Sequence, residues 1–273
     1  MVDNIGKYNT EWTKEKYERF IKEGRGLGEG ESYKPWLTIQ DFPSMGRATR
    51  IMGWKTKRIH HFFSDLQLKY FYLLEWEESV VDIREHYPLL DFDEVIEDKM
   101  DLRLDKFIDR KTKVPYVLST TFLITLFKPG NKVEFVARSI KIASDLQKKI
   151  TIERLEAERR YWSAKGIDWG IVTNKDINTV MSKNVEWLHS TMNTESYNGI
   201  KEEQLDELAE GLLYRLKSSE SVRKIIRKYE KDYCLDAGTG ILLFKYLLLK
   251  RKIFINMNEP IKFNIPGQSL WLP

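Results

Sequence analysis

The sequence predicts an α/β first domain, built as a sheet with helices on both faces, followed by a mostly helical second domain. Three observations carry this. Residues 114–142, "VPYVLSTTFLITLFKPGNKVEFVARSIKI", read as two strands joined at a Gly-Asn turn. A long helical pattern over about 144–166 follows, and then the β-rich "IDWGIVT". From about residue 175 the periodicity becomes helical, which places the domains at 1–174 and 175–273.

"EWTKEKYERFIK", 11–22, is a short amphipathic helix, and "EGRGLGEGESYKP" breaks it with glycines, as a flexible arm or loop would. Residues 36–61 hold short strand-like pieces and the basic cluster Arg47, Arg50, Lys55, Lys57 and Arg58. A solvated hairpin accounts for that cluster; contact with phosphates, each of which needs a nearby Lys or Arg, accounts for it equally. "SDLQLKYFYLLEWEESV", about 64–80, places Leu66, Tyr70, Leu73 and Leu74 at helical spacing, with Ser64 and Gln67 at capping-box spacing. "VVDIREHYPLL" is a strand ending at Pro88, and "DFDEVIEDKMDLRLDKF" an acidic, irregular excursion. On the following hairpin, Ser119, Thr121 and Thr125 share one face of the first strand, and Ser139 and Lys141 one face of the second. Gly166 stands just past the end of the long helix, where a left-handed residue is wanted. "IDWGIVT" reads as a buried strand. This order is the outline of a restriction-endonuclease core.

In the second domain "INTVMSKNVEWLHST", "EEQLDELAEGLLYRLK" and "SVRKIIRKYEKDY" are helical. "TGILLFKYLLLKRKIFINMNEPIKFNI" reads as a helix, a strand, a turn at Asn258-Glu259-Pro260 and a second strand, which suggests a winged-helix-like domain. Simple packing without nucleic acid is the competing reading of such a fold.

Composition narrows the function classes. A chain of 273 residues with 42% hydrophobic content supports one large or two ordinary domains. The net charge of +4 permits nucleic-acid binding without arguing for it, because charges of both signs are mixed along the chain. The single Cys234 excludes an internal disulfide and a thiol-based zinc site, and fits a reducing compartment. No apolar run approaches the roughly 20 residues of a membrane span, and the N-terminus lacks a signal-peptide pattern. A cytoplasmic protein with no membrane partner is expected.

The segments "EGRGLGEGESYKPWLTIQDFPSMGR", "KTKRIHHFFSDLQLKYFYLLEWEESVVDIREHYPLL", "LSTTFLI", "LEAERRYW" and "NVEWL" carry a resemblance covering most of residues 22–190, in order. The chain resembles the TnsA family, the endonuclease subunits of Tn-seven-type two-part transposases; the tail "AGTGILLFKYLLLKRKIFIN" is similar, more weakly. The resemblance implies a restriction-enzyme-like first domain and a helical, winged-helix-like second domain. It implies magnesium-dependent cutting of the non-transferred strand at transposon-end DNA, in company with a TnsB-type transposase and a TnsC-type ATPase regulator.

Carried over residue by residue, the family's helix glutamate falls on Gln67 and its strand aspartate on Thr121. Its glutamine-or-acid and lysine fall on Ser139 and Lys141, and accessory glutamates on Glu77 and Glu158. Magnesium is a hard ion held by carboxylates, waters and phosphates, so two neutral replacements imply weak or absent Mg2+ binding. Structural readings stand beside these. Gln67 serves as a helix cap, Thr121 as an ordinary strand former, Lys141 as a solvated lysine, and Glu158 as the ion-pair partner of Arg154. Asp65, Glu75, Glu77 and Asp82 are the acids from which a relocated metal ligand would come. The adjacent His60 and His61 point to opposite faces of a strand and make a poor ligand pair. The expectation is a TnsA-type pseudoenzyme acting in transpososome assembly and DNA contact. The alternatives are an active magnesium-dependent endonuclease with a relocated carboxylate, and an unrelated α/β binding protein.

Overall fold

A computed structural model describes residues 11–41, 47–189, 191, 200 and 202–271. The chain divides into two units, Met1–Ile177 and Asn178–Pro273.

The first unit is organised on a four-stranded sheet of order β3-β4-β5-β6: β3 (Val80–Pro88), β4 (Ser119–Lys128), β5 (Lys132–Lys141) and β6 (Asp168–Thr173). β3, β4 and β5 run antiparallel, and β6 lies parallel to β5. The β4–β5 turn uses Gly130 at φ 82° and Asn131 at φ 59°, residues that adopt left-handed backbone at little cost. A parallel β5–β6 pair requires a crossover, and helix α4 (Lys149–Ala164) supplies it after a short 3-10 turn, Ala143–Gln147. Gly166, at φ 65°, closes α4. Its N–H bonds to the Ser163 carbonyl at 3.0 Å and that of Ile167 to the Trp162 carbonyl at 2.9 Å, the paired bonds of a Schellman end.

Helices cover both faces of the sheet. On one face α2 (Asp65–Trp76) is wedged between the sheet and the hairpin of β1 (Thr49–Met52) and β2 (Ile59–Phe62). Phe71 packs against Phe62 at 4.9 Å and His60 at 4.6 Å, while Tyr70 meets Phe122 at 5.8 Å. Contact from two sides explains why α2 buries Leu68, Phe71, Tyr72, Leu74 and Glu75 rather than the single expected stripe of Leu66, Tyr70, Leu73 and Leu74. Phe71 and Phe122 are fully buried, each contributing about 1.5–3 kcal/mol. On the other face Leu123 and Ala137 pack on Ala157, Tyr161 and Trp162 of α4. The acidic excursion forms the short helix α3 (Phe92–Val95) and joins this core through Phe92, Ile96 and Leu102.

Two expectations are corrected in this unit. The glycine-rich segment after α1 (Lys14–Lys22) is an ordered strap along the outer edge of β3. Gly26 and Lys34 pair (2.6 Å), the Tyr33 hydroxyl donates to the Glu85 carbonyl (3.0 Å), and the Trp36 N–H donates to that of His86 (3.4 Å). Buried Tyr33 and Trp36 bring the apolar area that holds it. "IDWGIVT", expected to be buried, is the edge strand β6, in which no residue is fully buried. As the last strand of the sheet, it pairs on one side only.

The second unit is helical: α5 (Thr179–His189), α6 (Glu202–Arg215), α7 (Val222–Asp232) and α8 (Thr239–Leu249). The two-stranded ribbon expected after α8 is not formed among the described residues. Its halves bond elsewhere: the Phe254 N–H reaches the Leu270 carbonyl, while the Phe263 and Ile265 carbonyls accept from Arg223 and Val222 at the start of α7. The turn between them forms, with Glu259 N–H bonded to Asn256, and buried Asn184 of α5 donates to the Met257 and Glu259 carbonyls.

Candidate functional site

The residues expected to form a site are held in two hydrogen-bonded groups. Gln67 sits in the first turn of α2, where its sequence context makes it a cap. Its N–H bonds to the Ser64 hydroxyl at 3.2 Å, and its side-chain carbonyl accepts from the Phe63 N–H at 2.8 Å, one residue before the usual capping-box partner. The oxygen that would serve a metal is neutral and already accepts one hydrogen bond at the helix start.

The second group centres on Glu158, which is 1% exposed. One of its oxygens accepts from the Ser139 hydroxyl and, at 3.1 Å, from the Thr120 hydroxyl. Thr120 in turn accepts from the Trp162 indole at 2.7 Å, and Ser139 from the Trp169 indole at 3.3 Å. Arg154 stands 3.5 Å from the other Glu158 oxygen and donates to the Ser119 carbonyl at 3.1 Å. The expected Arg154–Glu158 pair is present, with its carboxylate in the core rather than in solvent. Lys141 lies on the same face of β5 as Ser139. Burial lowers its pKa and neighbouring Arg154 adds to the effect, against the opposing pull of Glu158 and Asp145.

Thr121 is displaced from this group by one residue. Its hydroxyl accepts from the Ile140 N–H at 3.1 Å, while Thr120 takes the place beside Glu158. The cause is visible on β3. His86, at φ 50°, interrupts strand alternation, so Glu85 turns to the β1–β2 hairpin and Tyr87, two residues on, meets Trp162 at 5.7 Å. Thr120 pairs with Tyr87 and follows it to the α4 face. Sequence reasoning missed Thr120, Trp162 and Trp169; a strict period of two gives no sign of the break.

The acids from which a relocated ligand would come are committed to other partners. Buried Glu75 accepts from the Trp54 and Lys55 N–H groups, Glu77 caps Ser79 at 3.0 Å, Asp82 accepts from Ile83 N–H at 2.8 Å, and Asp65 lies 3.6 Å from Arg47. No group of three or more His, Cys, Asp or Glu residues among the described ones is placed to hold a metal ion. One carboxylate already shared by two hydroxyls and an arginine does not match the donor set of Mg2+. The residues present therefore do not fit the metal that the family resemblance implies.

The basic cluster also divides. Arg47, Arg50 and Lys57 are exposed. Lys55 donates to the Glu77 and Val80 carbonyls at 2.6 and 2.5 Å. Arg58 is buried, with both terminal nitrogens on Glu85 at 2.9 and 2.5 Å. Burial and pairing remove Arg58 from phosphate contact, a correction to its expected role. His60 donates into the same fully buried carboxylate from Nδ1 at 2.8 Å, while His61 turns away.

A lysine-bearing hairpin beside a helix glutamate, on a sheet covered from both faces, defines an endonuclease-like core. The family described as TnsA-like endonuclease N terminal matches residues 77–174, and that described as TnsA endonuclease C terminal matches residues 176–257. Over 263 residues the chain is 40% identical to the Transposon Tn7 transposition protein TnsA of Escherichia coli, covering 96% of this chain and 90% of that one. The chain belongs to the TnsA family. No helix among the described residues is long and apolar enough to cross a membrane.

Proposed function

We propose that this protein is a transposition subunit whose endonuclease site is catalytically impaired, and that it acts through complex assembly and contact with transposon-end DNA. The observation that carries the reading is the donor set. Gln67 and Thr121 stand where the family resemblance implies carboxylates, and both are engaged by backbone N–H groups. Hydrolysis of a phosphodiester by Mg2+ needs the ion to polarise the phosphate and activate water, and neutral oxygens hold it poorly. Lys141 keeps the position of the family lysine, beside Arg154 and Glu158. The DNA-facing side chains of the first unit are Arg47, Arg50 and Lys57. The resemblance supplies the partners: a TnsB-type transposase and a TnsC-type ATPase, the latter assigned to the second unit.

The test is a reconstituted reaction on transposon-end DNA with both partners, Mg2+ and strand-specific end labels. The unaltered chain should enter the complex without nicking, and Gln67→Glu with Thr121→Asp should gain Mg2+-dependent nicking of the non-transferred strand. Nicking by the unaltered chain at the rate of the restored variant would sink the impairment and favour an active magnesium-dependent endonuclease with a relocated carboxylate.

A further inference from the structure

Helix α7 presents two chemically distinct sides. It buries Val222, Ile225, Ile226 and Tyr229, and turns Arg223, Lys224, Arg227, Lys228 and Lys231 to solvent. Its two acids do not neutralise that face. Glu230 accepts from the N–H groups of Gly238 and Gly240, at 2.9 Å each, and so caps the start of α8. Asp232 is taken by Arg215. Lys228 shares its charge with Glu220 at 2.6 Å. The Lys228 hydrogen bond lowers the Glu220 pKa and nearby Lys224 adds to the effect, while Arg223, Arg227 and Lys231 have no salt bridge among the described residues. Lys228 also lines a cleft of about 440 Å³ with Arg215, Lys217 and Glu220, in which Lys228 and Arg215 are already paired with Glu220 and Asp232.

Geometry and chemistry select the occupant. From Arg223 to Lys231 the helix advances about 12 Å at 1.5 Å per residue. Adjacent phosphates of one DNA strand lie about 7 Å apart, about 3.4 Å of it along the axis, so the row reaches about two to three phosphates. A protein partner needs an apolar centre from which water is excluded, and interface cores are depleted in charge. The outward positions of α7 carry no apolar side chain.

We propose that this face of α7 seats on the phosphate backbone of duplex DNA, as a second contact surface besides Arg47, Arg50 and Lys57. The inference rests on the reading of the chain as a DNA-contacting subunit and deepens it. Contacts of this kind set affinity and position, not sequence choice.

The experiment measures binding of the full-length protein to a transposon-end duplex and to a random duplex across a salt series. It compares the parent, Arg223→Gln/Arg227→Gln/Lys231→Gln, and Arg47→Gln/Arg50→Gln/Lys57→Gln. Glutamine retains helix propensity, and Arg223→Lys/Arg227→Lys serves as the charge-preserving control. The α7 triple variant should flatten the log–log salt slope by roughly two to three on both duplexes, at about 0.9 per lost phosphate contact. The lysine control should keep the parental slope. A parental slope in the α7 variant, with the hairpin variant flattened, overturns the inference and leaves the DNA-contact reading standing. Parental slopes in both overturn the two surfaces together, and a parent that binds neither duplex overturns the DNA-contact reading as well. An α7 variant with a parental DNA slope but altered self-association assigns the face to a second copy, whose α6 exposes Asp206, Glu207 and Glu210.

Discussion

Arg58 offers a decisive perturbation, because position in the sequence and position in the fold assign it opposite roles. As part of a basic cluster, its loss should cost DNA affinity and little stability. In the structure it is the bidentate arginine partner of a carboxylate with no solvent exposure. Glu85 accepts from both Arg58 terminal nitrogens, from His60 Nδ1 at 2.8 Å and from the His61 N–H at 3.2 Å. Arg58 also donates to the Ile83 carbonyl at 2.7 Å and stacks 4.9 Å from the centre of the Tyr33 ring. Although burial alone would raise the Glu85 pKa, His60 and Arg58 together hold it well below the usual carboxylate range. Arg58→Ala strands that charge, and breaking a buried pair from one side costs about 3–5 kcal/mol. With a urea m value of about 2 kcal/mol/M, the unfolding midpoint of the first unit should fall by roughly 2 M, read by tryptophan fluorescence. In the parent, Glu85 contributes stability above its unfolded pKa, and this is lost as pH falls through its depressed folded value. In the variant the carboxylate loses the guanidinium and keeps only His60 beside it, so it protonates more readily and the gap between parent and variant should narrow toward acid pH. A midpoint within about 0.3 M of the parent, accompanied by a flattened DNA salt slope, would refute the buried-pair account.

Two further outcomes follow from the same frame. Burial lowers the His86 pKa from 6.5 to about 4, so its neutral form stabilises the fold above pH 6.5 and that contribution is lost as pH falls toward 4. Between pH 7 and pH 5 the loss should be about 2 kcal/mol. His86→Asn tolerates the positive φ and should show a correspondingly smaller pH dependence in urea denaturation, the remainder coming from His61, which burial also lowers; an equal pH dependence in variant and parent would remove His86 from the account. A Cβ added at Gly26 would lie 2.3 Å from Pro88 Cγ, at a φ of 84°; Gly26→Ala should therefore cost roughly 1–3 kcal/mol and lower Tm, and an unchanged Tm would mean the strap is not docked on β3.

Much of the first unit was legible because local chemistry and tertiary structure agree there. The β4–β5 hairpin follows from alternating strand formers around Gly130-Asn131, and the end of α4 from Gly166. Ser64 and Gln67 announced the start of α2. The illegible parts are those where one residue answers to a distant partner. Glu158, four residues from Arg154, has the spacing of a surface ion pair; only Thr120 and Ser139, brought over it by the sheet, make it a core residue. Thr120 rather than Thr121 stands beside Glu158 because His86 resets alternation on a neighbouring strand. Arg58 looked like a member of a basic patch because Glu85 lies 27 residues away. In the second unit, two segments with strand-like composition found their bonding partners at α7 and Leu270 rather than in each other.

The glycine strap decides where the sheet of the first unit is able to grow. A terminal strand offers a row of unpaired N–H and C=O groups that recruits further strands. Tyr33 and Trp36 occupy those groups on β3 at Glu85 and His86, so that border is closed by the chain itself. β6 is left as the open border within this unit, with Ile171 37% exposed and Arg138 of β5 folded across it to Asp168. Among the described residues of this unit, strand addition, whether productive or as misassembly, is therefore favoured alongside β6, on the flank of the hairpin that carries Ser139 and Lys141.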